Sequence, residues 1–344
     1  MKFTRTSQQQ DMATALRDLL GSVDVPAIAR SWAAGETGDW WKVWHDLVDM
    51  GLTGVAVPEQ AGGLGLGPVE LAICLEQLGY SGLPGPIVES LAVLPHLLPD
   101  TSESEGRPWL EQVAAGQSLA TVAIAEHVPY ALDADQADVV LLCESDRVTA
   151  VEDPRLLRQE SFDPARRLFT VETTGATVRF QNDAASVREA FDRGALGCAA
   201  QLLGIGRRLL DLATRHVSER HQFGRPIGEF QAVKHHLANA LLELEFARPL
   251  VHGACLSATS GASCSGRDAS AAKIVAGDAA YAAARTALQV HGAIGYTTEH
   301  DLHLWLTKAT ALRSAWGTPT WHRRRVADAL ALDPSVPVGG PETM

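Results

Sequence analysis

The sequence predicts a mainly α-helical protein with a small β-domain, and three observations support this prediction. Residues 1–118 carry apolar side chains at the three- and four-residue spacing of amphipathic helices, and residues 186–332 show the same spacing. Residues 119–185 contain short β-branched runs separated by Asp, Pro and Gly, which is typical of a small antiparallel sheet. Residues 333–344, rich in Pro and Gly, are expected to form a loose tail.

The N-terminal part contains local signals for where its helices begin and end. Ser7 and Gln10 have the spacing of a capping box, which predicts the start of a first helix. A later helix rich in Trp is expected to end at Gly51, and Pro68 is placed to begin the next one. The glycines between them, AGGLGLG, resemble a dinucleotide-binding loop, but helices flank them on both sides. We therefore expect a tight loop rather than a βαβ nucleotide site.

The remaining elements follow from the periodicity of the chain. The runs predicted as strands are 120–125, 138–144, 147–151, 168–172 and 176–180. The stretches predicted as long helices, which should pack as an antiparallel bundle, are 186–217, 229–259, 267–290 and 319–332.

Composition and charge exclude several classes of protein. Among 344 residues, 41 are acidic and 29 basic, which leaves a formal net charge of −12 and argues against nonspecific nucleic-acid binding. No apolar run reaches the roughly 18 residues of a membrane span, and the polar start MKFTRTSQQQ is unlike a signal peptide. The five cysteines form no CxxC pair and are expected to be reduced core thiols. We expect a cytoplasmic protein with no nucleic-acid or membrane partner.

Three segments of the helical half are candidates for chemistry. Arginines 207, 208, 215, 220 and 225 form a basic segment against Asp211 and Glu219, and guanidinium groups match phosphate oxygens. The alternative is a solvated helix face with ordinary ion pairs. The turns at 289–296 and 313–320 contain glycines that let backbone approach a ligand, and N–H groups at a helix start suit an anion.

At these segments the chain resembles the acyl-CoA dehydrogenase family. The matching stretches are GLTGVAVPEQAGGLG, ERHQFGRPIGEFQAV, QVHGAIGYTTEH and the Gly-Thr turn of RSAWGTPT, in the family's order. The resemblance implies an N-terminal helical domain, a middle β-domain and a C-terminal four-helix bundle. It also implies desaturation of an acyl-CoA thioester, in which a carboxylate removes the α proton and FAD takes a hydride from the β carbon.

The resemblance further implies which residues contact the flavin. In the family, the pyrophosphate and adenosine end of FAD is gripped by a neighbouring subunit. Ala293 occupies the position of a second glycine in the family. Its methyl group leaves less room for a ligand to approach the backbone of this turn. For Arg207, Arg208 and Arg215 the solvated-face interpretation is retained. The cofactor-binding residues implied are Arg220, Gln222, Phe223, Gln231, Gln289, Val290, His291, Gly292, Ala293, Gly317 and Thr318.

The catalytic base of the family has no counterpart at the matching positions. The usual Glu corresponds to Trp316 and the alternative Glu of a subset of the family to Gly194, and neither side chain accepts a proton. Glu189 or Asp192 would be the base only if the alignment slipped by a few residues. The flavin-holding part of the middle domain is also reduced, because no G-S-D follows Glu126 and the later W-I-T-N-like contact is absent.

This asymmetry resembles one subunit of the α2β2 acyl-CoA dehydrogenases of actinobacteria. The resemblance implies that FAD is shared with a paralogous catalytic subunit, and that the complex serves a bulky, steroid-like acyl-CoA and an electron-transfer acceptor. Two alternatives stay open: an active homo-oligomer with an atypical base, and a structural paralogue without flavin contact. No metal site is expected, because His235 and His236 are adjacent and point about 100° apart on a helix.

Overall fold

The N-terminal part of the computed structural model is helical, as the sequence predicts. The structure describes residues 4–98, 106–144, 147–173, 177–181 and 184–331, so the predicted tail at 333–344 lies outside the described residues. Its helices are α1 (Ser7–Gly21), α2 (Val25–Ala34), α3 (Gly38–Asp49), α4 (Pro68–Ser81), a π-helical turn (Glu89–Val93) that continues into α5 (Leu94–Leu97), and α6 (Arg107–Ala114).

Local hydrogen bonds explain the first helix boundary and the connector. A capping box opens α1, one residue earlier than predicted, because Thr6 Oγ1 accepts from the Gln9 N–H at 3.2 Å. The glycine-rich connector between α3 and α4 (residues 51–67) folds back on itself: the Leu64 N–H donates to the Gly54 carbonyl at 2.7 Å. Pro68 begins α4, as expected from its missing N–H. The connector is therefore a tight loop between helices.

The middle domain contains two sheets instead of the single antiparallel sheet predicted. One has the strand order β1-β3-β4-β7 and the other β2-β6-β5. β1 runs parallel to β3, so the antiparallel prediction is wrong for this pair. The chain crosses over between them because β2 joins the other sheet. The strands are β1 (Ala120–Ile124), β2 (Ala131–Leu132), β3 (Val139–Cys143), β4 (Arg147–Val151), β5 (Arg155–Gln159), β6 (Leu168–Glu172) and β7 (Thr177–Gln181).

The C-terminal part is a bundle of long helices around α7. α7 packs against α4, α8, α9 and α10, and α11 packs on α9. The sequence analysis does not predict α10, whose apolar pattern is interrupted by Lys308. In the structure Lys308 is buried, and its Nζ donates to the Leu83 carbonyl at 3.0 Å. The elements are α7 (Ala184–Glu219), β8 (His221–Gln222), β9 (Arg225–Pro226), α8 (Gln231–Thr259), α9 (Ser265–His291), α10 (Leu302–Ser314) and α11 (Pro319–Ala331).

Cysteines and helix lengths agree with the composition. Cys74, Cys143, Cys198 and Cys255 are buried and Cys264 is half-buried, all as free thiols. Burial raises the pKa of Cys74, Cys143 and Cys255 to about 12, so these thiols are inert. Within the described ranges, no helix is long and apolar enough to cross a bilayer.

A buried ion pair joins the N-terminal helices to the middle domain. The Trp32 indole N–H donates to Asp133 Oδ1 at 3.0 Å, and Arg167 Nε donates to the same oxygen at 3.2 Å. The Arg167 guanidinium also lies over the Trp32 ring, 4.6 Å from its centroid. All three side chains are buried. Arg167 Nη1 also donates to Asp135 Oδ2 at 2.8 Å. Removing Arg167 would therefore leave the Asp133 carboxyl group in a medium of low dielectric constant without a counter-charge.

We expect Arg167→Met to lower the free energy of unfolding by about 3–5 kcal/mol, because it leaves Asp133 buried without a counter-charge. The matched control is Arg155→Met, which removes an exposed ion pair with Glu172 and should cost at most about 1 kcal/mol. Urea denaturation of both variants measures the difference. Equal losses for the two variants would contradict the expected role of the buried pair.

Candidate functional site

The first candidate motif folds as a two-residue β-hairpin turn after α7. Gln222 pairs with Arg225, and the turn residues Phe223 and Gly224 have φ values of +51° and +80°. Two positive φ values are the mark of a type I′ turn, which suits Gly far better than Phe. The Phe223 side chain is 90% exposed at the tip. The hairpin thus presents a large aromatic ring to the outside.

Arg220, at the base of this hairpin, carries a charge that the fold leaves unpaired. It is exposed, and no carboxylate in the described part of the chain lies within ion-pair distance of it. Arg225, in contrast, lies over the Phe230 ring at 4.2 Å and 4.0 Å from Glu229. Arg220 is therefore the cation of the hairpin that remains free to meet an anion.

Two other arginines of the basic segment are engaged by the protein. Arg207 Nε lies 3.2 Å from Asp211 Oδ1, as an ordinary ion pair on the helix face. Arg208 lies against the rings of Tyr80 and Trp305, with its guanidinium carbon 5.4 Å and 4.9 Å from their centroids. The solvated-face prediction is therefore wrong for Arg208, which is held between aromatic rings.

The second motif is joined to the first by stacked imidazoles. α9 ends at His291, and a 3₁₀ turn (Gly292–Tyr296) follows. The His291 ring stacks on His216, near the end of α7, at a centroid distance of 4.2 Å, and meets the edge of His300 at 4.9 Å. The ends of α7 and α9, and hence both motifs, are in direct contact.

Burial lowers the pKa of two histidines of this cluster, His291 and His216. His291 is buried; its Nδ1–H donates to the Ala287 carbonyl at 2.7 Å, and its Nε2 has no partner among the described residues. Burial lowers the pKa of His291 to about 4. The pKa of His216 is also lowered, by burial and by the neighbouring His300 and Arg220. His291 and His216 therefore add no positive charge at pH 7 to that of Arg220.

The other predicted residues of the two motifs lie at the same end of the bundle. Gln222 lies in β8, and Gln231, at the start of α8, is exposed. Around the second motif, Gln289, Gly292 and Ala293 are exposed and Val290 is half-buried. We call the set formed by the hairpin and this turn the open grip. Its members are Arg220, Gln222, Phe223, Gln231, Gln289, Val290, His291, Gly292 and Ala293.

Gly317 and Thr318 belong to a different cluster. Gly317 is buried with φ +95°, and a Cβ there would overlap the His322 ring. Thr318 Oγ1 accepts from the Trp321 N–H at 3.3 Å and caps α11. These two residues shape the turn around Trp316.

Trp316 and Gly194, the residues that the resemblance matches to the two base positions of the family, touch each other. Trp316 is 2% exposed, and its ring lies directly over Gly194, so that a Cβ at Gly194 would overlap it. Trp316 has φ +56°, a conformation that costs a non-glycine residue about 1–3 kcal/mol. The His322 Nε2–H donates a hydrogen bond to the Trp316 carbonyl at 2.8 Å. An indole thus fills the space above Gly194.

Beside Trp316 lies a buried carboxyl group that sequence reasoning missed. Glu89 is 3% exposed, and burial raises its pKa, an effect partly offset by the charge of Arg166 and by the facing indole N–H of Trp316. The signal was a lone acid in the apolar run 86–98. The cavity that Glu89 and Trp316 line, together with Cys198 and Lys308, is about 10 Å³, room for about one water. We call it the closed cavity.

The two carboxylates left open as atypical bases are engaged in ion pairs. Asp192 Oδ2 lies 2.9 Å from Arg325 Nη2, and its other oxygen also contacts Arg325. Glu189 Oε1 accepts from Arg193 Nη2 at 2.8 Å. Both carboxylates are therefore occupied by a neighbouring guanidinium and do not face an open substrate space alone.

Aromatic rings crowd the region after β1, where the family's flavin-contact motif would follow. Glu126 is exposed, and the next residue, His127, lies 5.1 Å from Phe191 and 4.5 Å from Trp321 between ring centroids. Phe191 and Trp321 meet edge to face at 5.3 Å. Side chains of the β-domain, α7 and α11 thus pack together at this place.

Comparison with known proteins identifies the family. The profile described as "Acyl-CoA dehydrogenase, N-terminal domain" matches residues 6–117, and the one described as "Acyl-CoA dehydrogenase, C-terminal domain" matches residues 184–331. "Acyl-CoA dehydrogenase IpdE2" of Mycolicibacterium smegmatis is 30% identical over 303 residues, 88% of this chain and 92% of that protein. This chain belongs to the acyl-CoA dehydrogenase family. Membership implies a FAD-dependent oxidoreductase acting on CH–CH bonds.

Further relatives and solved structures agree in length and fold. Acyl-CoA dehydrogenase IpdE2 of Mycobacterium tuberculosis is 28% identical over 337 residues, 96% of this chain and all of that protein. The ChsE4-ChsE5 complex from Mycobacterium tuberculosis contains a chain with TM-score 0.84 and 23% identity, covering 97% of this chain and all of that one. The Tcur3481-Tcur3483 steroid ACAD G363A variant gives TM-score 0.84 at 22% identity, covering 94% and 98%. At such identities the structures show the shared fold.

The open grip has the properties that an anionic dinucleotide requires. Arg220 supplies a free positive charge, and Phe223 and Tyr296 supply exposed aromatic surface. The backbone at Gly224 and Gly292 is open, because a Cβ at either would meet nothing within 4 Å. These residues fit the pyrophosphate and adenosine end of FAD, the cofactor of the family.

We expect Gly194→Ala to destabilise the protein by about 1–3 kcal/mol, because the new methyl group would overlap the Trp316 ring. In a Trp316→Ala background the same change should cost much less, since the ring is gone. Gly253→Ala on α8 is the control: its Cβ meets nothing within 4 Å, so the change should be neutral or stabilising. Urea denaturation of the native chain, both single variants and the double variant gives the coupling free energy between the two positions. If the two losses of unfolding free energy are simply additive, the contact is disproved.

Acid should destabilise the fold through His291. Its folded pKa of about 4 lies below the ordinary value of 6.5, so between these values the unfolded chain binds the proton and the folded chain does not. Stability therefore falls as the pH drops from 6.5 towards 4, by up to about 1.4 kcal/mol per pH unit for this group. Unfolding free energies from pH 7 to pH 5 should depend less on pH in His291→Asn, whereas His236→Asn, an exposed control on α8, should retain the native slope. Parallel profiles for His291→Asn and the native chain would refute this.

Proposed function

We propose that this chain is the non-catalytic, FAD-contacting subunit of a heteromeric acyl-CoA dehydrogenase. The observation that carries the proposal is that Trp316 and Gly194, the residues matched by resemblance to the two base positions of the family, touch each other and neither carries a carboxylate. The indole nitrogen only donates hydrogen bonds, so it takes no proton from a substrate carbon. With room for about one water beside it, the closed cavity has no space for an acyl chain.

The open grip supports a role in binding FAD that is held mainly by another chain. When bound, FAD accepts the hydride from the β carbon of the substrate. Arg220 of this chain would neutralise the pyrophosphate, and the exposed backbone at Gly292 would let the nucleotide approach closely. Phe223, at the hairpin tip, would cover apolar cofactor surface that one chain alone leaves in water.

An apolar face on α8 supports a partner subunit. Leu242, Phe246 and Leu250 follow one another at four-residue spacing and so share one side of the helix. Phe246 is 70% exposed, and the two leucines are exposed as well. A stripe of large apolar side chains on a stable helix marks a surface that another chain covers. A paralogous catalytic subunit that supplies the carboxylate base and isoalloxazine site is the occupant we propose, in an α2β2 assembly.

The named relatives support the assembly and the substrate class. The ChsE4-ChsE5 structure is a complex of two different chains, and the Tcur3481-Tcur3483 structure is described as a steroid ACAD. We infer by analogy that this chain serves a bulky, steroid-like acyl-CoA and passes electrons to an external acceptor. Closing one of two acyl cavities would leave one productive site per heterodimer.

Two other functions make different predictions. An active homo-oligomer would need Glu189 or Asp192 as base, so Glu189→Gln or Asp192→Asn would abolish turnover; the ion pairs of both carboxylates speak against this. A structural paralogue without flavin contact would keep the flavin content of its complex after Arg220→Ala.

The direct test is co-expression with the paralogous subunit, followed by counting FAD. We expect about one FAD per two chains in the complex and no stoichiometric FAD on this chain alone. Arg220→Ala should weaken FAD binding by the complex at least tenfold, because it removes the free charge of the open grip. Flavin absorbance after gel filtration measures both quantities.

Arg215→Ala is the matched control for Arg220→Ala. It removes an exposed arginine of the same basic segment that lies outside the open grip, so it should leave the flavin content unchanged. Stoichiometric FAD together with acyl-CoA desaturation by this chain alone would overturn the proposed function.

A further inference from the structure

A second pocket, mostly apolar, lies on the α4-facing side of α7, apart from the closed cavity. It has a volume of about 230 Å³ and is enclosed by the connector, α4, the π-helical turn and α7. Leu66, Leu71, Leu75 and Leu196 form much of its wall. A dry apolar cavity of about 150 Å³ takes up benzene, so this pocket has room for a ligand of about six to ten heavy atoms.

Arg193 extends from α7 into this pocket with an unsatisfied donor. Its side chain is 11% exposed. Nη2 donates to Glu189 Oε1 at 2.8 Å and to the Ala258 carbonyl at 2.9 Å. Nη1 is buried and has no hydrogen-bond partner in the described part of the chain. A buried N–H without a hydrogen-bond partner costs about 1–3 kcal/mol, and the cost is larger when the N–H belongs to a charged group. A hydrogen-bond acceptor placed in the pocket would recover that free energy.

His96 of α5 lies in the same pocket. Burial, together with the nearby charge of Arg193, lowers the pKa of His96 to about 4, so its ring is neutral at pH 7. A neutral imidazole offers one N–H and one bare nitrogen, and no described residue takes up either. The pocket therefore holds a cationic donor and a neutral donor but no anion.

The pocket is open towards a larger, positively charged groove. Arg193, Leu196 and Ala258 line both spaces, and the groove has a volume of about 790 Å³. Four arginines (Arg188, Arg193, Arg267 and Arg325) line the groove against two carboxylates (Glu189 and Asp192), so its formal charge is +2. These charges favour the approach of an anion over that of a cation.

We infer that this pocket binds a small apolar carboxylic acid in its carboxylate form. The carboxylate oxygens would accept from Arg193 Nη1 and from the His96 N–H, and the hydrocarbon chain would lie among the leucines. Hydrogen bonds between charged partners are about twice as strong as neutral ones, which makes a carboxylate the preferred group over an amide or an alcohol. The inference does not depend on the proposed function, because neither the open grip nor the closed cavity takes part.

The experiment titrates hexanoate into the full-length chain at pH 7 and measures the heat of binding. We expect one hexanoate per chain, at least tenfold weaker binding of the neutral isostere hexanamide, and a shift of the His96 ring signals in NMR spectra. Arg193→Gln should weaken hexanoate binding at least tenfold. Its thermal unfolding without ligand shows whether the variant is folded.

A second pair of variants tests where hexanoate binds while leaving the charge of Arg193 in place. Thr259 lines the pocket and is exposed, so it lies at the opening, whereas the next residue, Ser260, is exposed but does not line it. Thr259→Trp should block the opening and abolish hexanoate binding, while Ser260→Trp should bind like the native chain. This pair decides the matter if Arg193→Gln does not fold.

The inference is overturned by absence of saturable hexanoate binding, by equal affinity for hexanamide, or by unchanged binding in folded Arg193→Gln. Equal binding by Thr259→Trp and Ser260→Trp also overturns it.

Discussion

The close approach of neighbouring elements to α7 is the constraint on which the rest of the structure depends. α7 has no side chain where other segments come nearest: Gly204 faces the Glu76 carbonyl of α4, and Gly194 faces the Trp316 ring. A Cβ at either place would overlap its neighbour. Because protein interiors are close-packed, these contacts set the position of α4 on one side of α7 and of the turn before α11 on another.

The same helix carries both functional regions and keeps them apart. Gly194, next to the closed cavity, and His216, which stacks on His291 of the open grip, are separated along α7 by roughly 33 Å at 1.5 Å per residue. At such a distance along a rigid helix, the residue type at Gly194 does not affect the position or charge of Arg220 at the other end. This separation gives a physical basis for the proposed function, in which the subunit has no catalytic base but contacts a shared cofactor.

Buried charge in the helical core is concentrated around the closed cavity. Lys308 and Glu89 line it, and the nearby Lys273 donates to the carbonyls of Leu312 and Arg313 at 2.9 Å and 3.1 Å. Burial lowers the pKa of both lysines and raises that of Glu89, so each group is pushed towards its neutral form. The closed cavity thus has polar groups in its wall opposite the Trp316 indole.

The sequence by itself determined features that depend on near neighbours: the start of α4 at Pro68, strand β4, and the interruption between the long helices near Gly224. Local hydrogen bonds and side-chain periodicity are sufficient for these. Only the tertiary structure decided that β1 runs parallel to β3, that the buried Lys308 belongs to a helix, and that Trp316 fills the space above Gly194. These features arise from contacts between residues that are far apart in the chain. Local sequence patterns do not predict such contacts.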